Sequence, residues 1–271
     1  NESFKVSTMS SADLIESLSA SLWLAEQTQT PIDTLTSAHP HLTNQDAYAI
    51  QAATLRRRSS EGVGFKLGYT SDAMRAQMNI AEPNYGVLTK DHLLNQQEGA
   101  LDGYIPFEEL IHPLVEPEIA ILINQEISGA GQTRHTIQSH VEAVMPALEI
   151  VDTRYKEYKF SLVDNISDNS SGARVVLGAP KKLSQVDDLR LSGVLLWSEG
   201  HTLDTGIGAN SMGDPLASIA WLANFLAQRE LSIPAGSIIM TGGLTKAHPA
   251  KSQQTFLAEF GGLGYVKAYF S

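Results

Sequence analysis

Cysteine is absent from the 271 residues. That excludes disulfides, thiolate metal sites and a cysteine nucleophile, and it agrees with a cytoplasmic location. Positive charge is scarce: 19 Lys and Arg stand against 30 Asp and Glu, for a formal charge of −11. A nucleic-acid partner is therefore not expected, since a broad basic face is needed to track phosphates. A small anionic substrate is not excluded, because a local cation or metal decides that. The one basic run, Arg56–Arg58, closes a helical pattern, where cations suit the helix C-terminus. No apolar run approaches the ~20 residues that span a bilayer; Val194–Trp197 and Ile238–Met240 are strand-sized. No membrane partner is expected. Asn1–Ser11 is polar and lacks the apolar centre of a signal peptide. There is no Gly-x-Ser-x-Gly elbow and no phosphate-binding loop. Gly206-Ile207-Gly208 lacks the third glycine and the strand–helix context of a dinucleotide site. No paired histidines sit at zinc-ligand spacing; His39 and His41 flank Pro40 in a polar stretch that reads as a loop.

What is present is a mixture of short strands and fewer helices. Apolar residues at helical spacing predict a helix over Ala12–Gln27, followed by a loop over Gln29–His41. Thr43 with Asp46 signals an N-cap, and a second helix runs to about Arg58. Gly64–Tyr69 reads as a strand, Thr70 or Ser71 as the cap of a helix over Asp72–Met78, and Ala81–Gly86 as a proline-containing loop. A β-rich region after Asp91 holds Tyr104–Phe107 and Leu114–Ile123. The pattern predicts a helix over Thr136–Val144 ending near Pro146, then a strand over Ala147–Asp152. Phe160–Ile166 fits helix or strand equally, and Asp168–Gly172 is turn chemistry. Strands follow at Val175–Leu177, Leu191–Trp197 and Thr202–Thr205, then an amphipathic helix at Pro215–Gln228 and a strand at Ser237–Thr241. Thr255–Phe260 and Tyr265–Phe270 form a hairpin. Without regular β-α-β alternation, a doubly wound sheet is not expected.

The chemistry concentrates in Leu114–Ile123. In a strand, residues i and i+2 share a face. Glu116 and Glu118 therefore lie side by side, with Ala120 and Leu122 beyond them. Two such acids repel unless a divalent metal, an Arg or Lys, or a shared proton sits between them; the alternative is a pair of solvated strand ends. Glu149, flanked by apolar residues, is a third acid of the same kind. Three carboxylates make a hard, oxygen-rich set suited to Mg²⁺ or Mn²⁺ with room for water and a chelating substrate. Lys66, in a short strand bounded by glycines, is a candidate general acid or base, because burial lowers a lysine pKa. Met240-Thr241-Gly242-Gly243 offers a hydroxyl and close backbone N–H groups to a carboxylate. Asp168–Ser171 is a candidate substrate loop.

Six stretches stand in one order: Gly64–Ser71, Glu82–Gly86, Glu116–Ala120, Ala147–Asp152, Ser167–Ser171 and Met240–Gly243. Together they resemble the hydratase/decarboxylase branch of the fumarylacetoacetate hydrolase superfamily, from about Asp13 to the C-terminus. The resemblance implies an α+β fold, a mixed β-roll with flanking helices. It implies one catalytic domain over residues 1–271, with residues 12–62 as a helical layer and residues 63–271 as the roll that carries the site. It further implies Mg²⁺ (or Mn²⁺) on Glu116, Glu118 and Glu149, and a catalytic lysine at Lys66. Substrate contacts are expected at Thr70, Ser71, Asn84, Asn169, Ser170, Thr241 and Gly242. A 2-oxo acid would chelate the metal through its 1-carboxylate and 2-oxo group. Homo-oligomers and a complex with a sister hydratase are also implied. Many hydratases of this branch carry Asp where Asn84 stands. Arg154–Phe160 and Ile239–Gly243 are also more similar to its decarboxylases. The expected reaction is thus loss of CO₂ from 2-oxo-3-hexenedioate, with hydration of a 2-hydroxydienoate as the alternative.

Overall fold

The computed structural model describes residues 11–94 and 102–271. The polar stretch at residues 1–10 and part of the region after Asp91 lie outside them. Three helices come first, α1 (Ser11–Thr28), the single turn α2 (Leu35–Ala38) and α3 (Asn44–Arg57), and the expected short helix α4 (Asp72–Met78) comes after the first strand. Thr43 and Asp46 close a reciprocal capping box at the start of α3, each satisfying a backbone N–H that the helix itself leaves free. Leu18, Leu22, Leu35 and Ile50 pack with Tyr155 into a core of their own.

The larger sheet runs in the order β2-β1-β9-β4-β5-β6, and β10 adds to the far part of β4. These strands are β1 (Gly62–Gly68), β2 (Asn84–Thr89), β4 (Leu114–Ile123), β5 (Val141–Val151), β6 (Gly172–Leu177), β9 (Ile238–Met240) and β10 (His248–Pro249). The second sheet has the order β3-β12-β11-β7-β8: β3 (Asp102–Ile105), β7 (Gly193–Ser198), β8 (His201–Ile207), β11 (Thr255–Phe260) and β12 (Gly264–Phe270). Val115, Ile119, Ile121, Val144, Leu148 and Ile150 of the first sheet bury against Phe256, Val266, Ala268 and Phe270 of the second. Ile219 and Leu222 of α7 (Pro215–Ala227) join that core. This is the expected α+β β-roll. Among the described residues, no helix is long and apolar enough to cross a membrane.

Three local expectations differ from the structure. Thr136–Val144 is not a helix: α5 (Arg134–Gln138) stops early, and β5 has begun by Val141. Ile137, Val141 and Val144 fall at helical spacing by coincidence. Because β5 is buried on both faces, it shows a continuous apolar run rather than an alternation. Asn84–Thr89 is strand β2, not the end of a loop; Asn-Tyr-Gly imitates turn chemistry on an edge strand. The expected loop over Gln29–His41 contains the turn α2. The undecided Phe160–Ile166 resolves into α6 (Leu162–Ser167), started by a Ser161–Asp164 capping box. Two prolines sit inside paired strands without breaking them. The Pro117 carbonyl accepts Leu244 N–H and faces the gap between β9 and β10, so its missing N–H faces no partner strand. The Pro146 carbonyl likewise accepts Gly178 N–H, just past the end of β6.

Candidate active site

Strand register assembles the site. Glu116 on β4 pairs directly with Glu149 on β5, and Glu118 pairs with Ala147. On β9, Met240 pairs with Ala120 on one side and with Lys66 of β1 on the other. The odd and even alternation then puts all three glutamates and Lys66 on the same outer face of the larger sheet. Beyond them that face turns apolar through Ala120, Met145, Ala147, Val175 and Met240. The three glutamates offer carboxylate oxygens that lie within 4.8 Å of one another. Lys66 Nζ stands 3.1 Å from Glu149 Oε1, outside hydrogen-bond geometry, and donates to the Ser170 carbonyl at 2.8 Å and to Ser170 Oγ at 3.2 Å.

Like charges directly opposite in a sheet are destabilising, and here they are also buried. Burial, then Glu149, pushes the Glu116 carboxyl up to about 7 against the pull of Lys66. Burial, then Glu149 and Glu116, pushes the Glu118 carboxyl well above the usual carboxylate range against the pull of Lys66. For Lys66 the expected lowering by burial is overturned. Burial does act downward, but the three carboxylates outweigh it and hold the ammonium charged. Lys66 therefore enters the site as a cation rather than as a ready base.

The donor set fits a divalent ion. Glu118 Oε1 and both Glu149 oxygens are buried and have no hydrogen-bond partner among the described residues, a costly arrangement without a ligand. Three carboxylates and one ammonium leave two negative charges in excess, which a divalent cation cancels. The backbone leaves room for this set. Gly242 donates its N–H to Glu118 Oε2 at 3.0 Å, and its φ of +113° suits glycine. A Cβ at Gly243 would stand 3.1 Å from the Glu116 carboxyl carbon.

The group opens into a cavity of about 300 Å³. Of the candidate site residues, Lys66, Thr70, Ser71, Glu116 and Ser170 line it. Four expected contacts stand behind that wall. Asn84 donates to Asn165 Oδ1 at 2.6 Å and accepts from Ser170 Oγ at 2.9 Å. Asn169 is joined to both backbone groups of Val87. Thr241 Oγ1 donates to the Ile119 carbonyl at 2.6 Å, and Gly242 is pressed against Thr70. Sequence reasoning missed Tyr69, Met74, Tyr158, Phe160, Asn165 and Thr245, which also line the cavity. Tyr69 follows the Lys66 strand directly and has φ +55°, unusual for a bulky residue; the others carry no signal in spacing.

A β-roll that gathers three convergent carboxylates beside a buried lysine, at the end of a cavity that Lys66 and Glu116 line, offers a candidate divalent-metal site. The chain belongs to the fumarylacetoacetate hydrolase C-terminal family, whose model matches residues 73–270. It is 38% identical over 242 residues to a 4-oxalocrotonate decarboxylase of Pseudomonas putida, covering 88% of this chain and 90% of that one. A 2-oxo-hept-4-ene-1,7-dioate hydratase of Escherichia coli is 34% identical over 257 residues, covering 91% and 94%. Among solved structures, the 4-oxalocrotonate decarboxylase from Pseudomonas putida G7, complexed with magnesium and adipate, superposes with a TM-score of 0.91 at 34% identity. That match covers 97% of this chain and 99% of the other.

Proposed function

We propose that the chain decarboxylates 2-oxo-3-hexenedioate (4-oxalocrotonate) to 2-hydroxypenta-2,4-dienoate and CO₂ with the help of Mg²⁺ or Mn²⁺. One observation carries this choice. Among the described residues lining the cavity, the only cation is Lys66, beside the carboxylates, while Met74, Leu114, Val151, Phe160 and Ala247 give much of the wall an apolar character. A dianion whose keto-acid end lies at the metal site puts its far carboxylate against such a wall. That carboxylate loses water and gains no countercharge, whereas the departing CO₂ is neutral. The wall thus raises the ground state more than the transition state.

Glu116, Glu118 and Glu149 would hold the ion. When bound, it supplies Lewis-acid stabilisation of negative charge on a substrate oxygen. Lys66 offers its ammonium to the anionic keto-acid end. Thr70, Ser71 and Ser170 are assigned to contact the substrate directly; Asn84 holds Ser170 and Gly242 backs Thr70, while Asn169 and Thr241 tie the turn and β9 to the neighbouring strands. As the C5–C6 bond breaks, its electron pair moves through C3–C4 to the C2 oxygen. A proton on that oxygen completes the product, and Lys66 is the group assigned to deliver it. Hydration has less support: Asn84 is an amide with both ends engaged, so it cannot take a proton from water. No histidine is among the described lining residues, which weighs against a hydrolase with a His–Glu water-activating pair.

The reading covers residues 1–271 as one catalytic unit, with residues 12–62 as a helical layer on the roll. It extends to a cytoplasmic homo-oligomer that works beside a sister hydratase. Mass spectrometry of turnover with 2-oxo-3-hexenedioate and 2-hydroxypenta-2,4-dienoate, with Mg²⁺ and with a chelator, tests the reaction. Metal-dependent loss of CO₂ from the first is the expected result; gain of water by the second alone would reassign the chain as a hydratase. Sedimentation of the chain, alone and with the hydratase, tests the assembly, and a monomer in both runs would remove that part.

A further inference from the structure

Asn169, Ser170 and Ser171 all carry left-handed backbone, with φ of 51°, 53° and 57°. Three consecutive non-glycine residues in this region are strained, and such strain persists only where the surroundings over-determine it. The middle residue is the one that holds Lys66 Nζ, through its carbonyl at 2.8 Å and its hydroxyl at 3.2 Å. The Lys66 ammonium is thus held in place by a strained turn.

The two ends of that turn are gripped by one side chain. Arg154 is buried and absent from the cavity wall. Its Nε donates to Asp168 Oδ1 at 2.5 Å, and one terminal nitrogen donates to the Asp168 carbonyl at 2.5 Å. The other terminal nitrogen donates to the Gly172 carbonyl at 2.9 Å and to the Asp152 carbonyl at 2.8 Å. Asp168 and Gly172 bracket the strained residues. The Asp168 carboxylate is held further by Arg154 N–H and Thr153 Oγ1, both at 3.0 Å. Arginine suits the task because its planar fork fixes several acceptors at once, which a lysine ammonium does not. The turn is also tied to the site from its other side, by Ser170 Oγ on Asn84 and Asn165 Nδ2 on Ser171 Oγ.

We propose that Arg154 is a positioning residue: paired with Asp168, it holds the left-handed turn that sets Lys66 over the carboxylates. Its contribution reaches the reaction through Ser170 and Lys66, with no contact to substrate. This rests on the decarboxylase reading for its kinetic readout, so a second readout is independent of activity.

The test compares the parent with Arg154→Lys, Asp168→Asn and the double variant, all loaded with Mg²⁺. Displacement of a reacting group by about 1 Å costs on the order of a hundredfold in rate. A fall in kcat of roughly that size is expected in each single variant, with KM and the Mg²⁺ Kd within about threefold of the parent. The double variant should be no worse than the worse single one, since one device is broken once. Amide hydrogen exchange at Ser170–Gly172 should speed up in both single variants. Two results overturn the proposal: folded, Mg²⁺-binding variants that keep kcat within about threefold of the parent, or a kcat loss matched by an equal loss of Mg²⁺ binding. If Arg154→Lys does not fold, Asp168→Asn decides alone. If the parent does not turn over 2-oxo-3-hexenedioate, the decarboxylase reading fails. Exchange at Ser170–Gly172 then decides the clamp, and unchanged exchange overturns it.

Discussion

Glu118 combines two properties that pull apart on mutation. It is fully buried with one oxygen unpartnered, and burial with Glu149 beside it favours its protonated form in the absence of metal. An amide of the same shape resembles that protonated form but cannot ligate as an anion. Glu118→Gln is therefore expected to leave the metal-free protein as stable as the parent or slightly more stable, since the amide supplies the neutral form without the proton uptake that folding otherwise requires near neutral pH. The same change should weaken Mg²⁺ binding on the order of a hundredfold and abolish metal-dependent turnover. Calorimetric titration beside a thermal melt of the chelated protein checks both. A variant that binds Mg²⁺ like the parent would remove Glu118 from the ligand set.

At the scale of elements, the site depends on how closely β1 approaches β2 and the turn before β6. A Cβ at Gly68 would stand 2.3 Å from Asn84 Oδ1 and 2.5 Å from Ser170 Oγ, both rigidly bonded neighbours. Gly68→Ala should destabilise the fold by about 1–3 kcal/mol through overpacking. It should also lower kcat more than it changes Mg²⁺ affinity, because Ser170 moves and the glutamates do not. Denaturant unfolding and metal titration on one preparation check this; an unperturbed kcat would mean that the turn tolerates displacement. The same strands show what the sequence makes legible. The two-residue period of Leu114–Ile123 locates Glu116 and Glu118 on one face because a strand leaves no other choice, and the Thr43–Asp46 box locates α3. The partners of those faces are not local. Nothing near Glu149 announces that it pairs with Glu116, and nothing near Lys66 announces the Ser170 carbonyl, 104 positions away. The ordered family motifs supplied what periodicity could not. They did not separate Ser170, which lines the cavity, from Asn169, whose side chain is committed to β2. The doubly buried β5 lost its alternation for the same reason that it can carry Glu149.

For the whole molecule, the main core lies between the two sheets, while the carboxylate site occupies the outer face of the larger one. Metal therefore affects stability through charge rather than by filling the core. In the metal-free protein the Glu116 carboxyl is raised from its ordinary value of 4.5 to about 7. A group whose folded pKa is raised contributes stability that is fully present below about 4.5 and is lost as pH climbs through about 7. The slope is at most about 1.4 kcal/mol per pH unit for each proton released. His92 acts in the opposite direction at lower pH. Burial pushes its imidazole down to about 3, so stability falls as pH drops from 6.5 toward that value. The difference between the Mg²⁺-loaded and chelated melts removes the His92 contribution, which both forms share. Since the ion must displace protons from Glu116 and Glu118, its binding should release protons near pH 6 and fewer at pH 8 and above. The stabilisation at a hundredfold excess over Kd is about 2.7 kcal/mol, or roughly 5–10 °C in Tm for a chain of this size. At a fixed Mg²⁺ concentration the stabilisation should grow as pH rises from about 5 to about 8, because Kd falls as the carboxyls lose their protons. Melts across that range, with titrations in two buffers of different ionisation heat, measure both quantities; a Tm difference that shrinks with rising pH would mean that the ion binds somewhere other than the three glutamates.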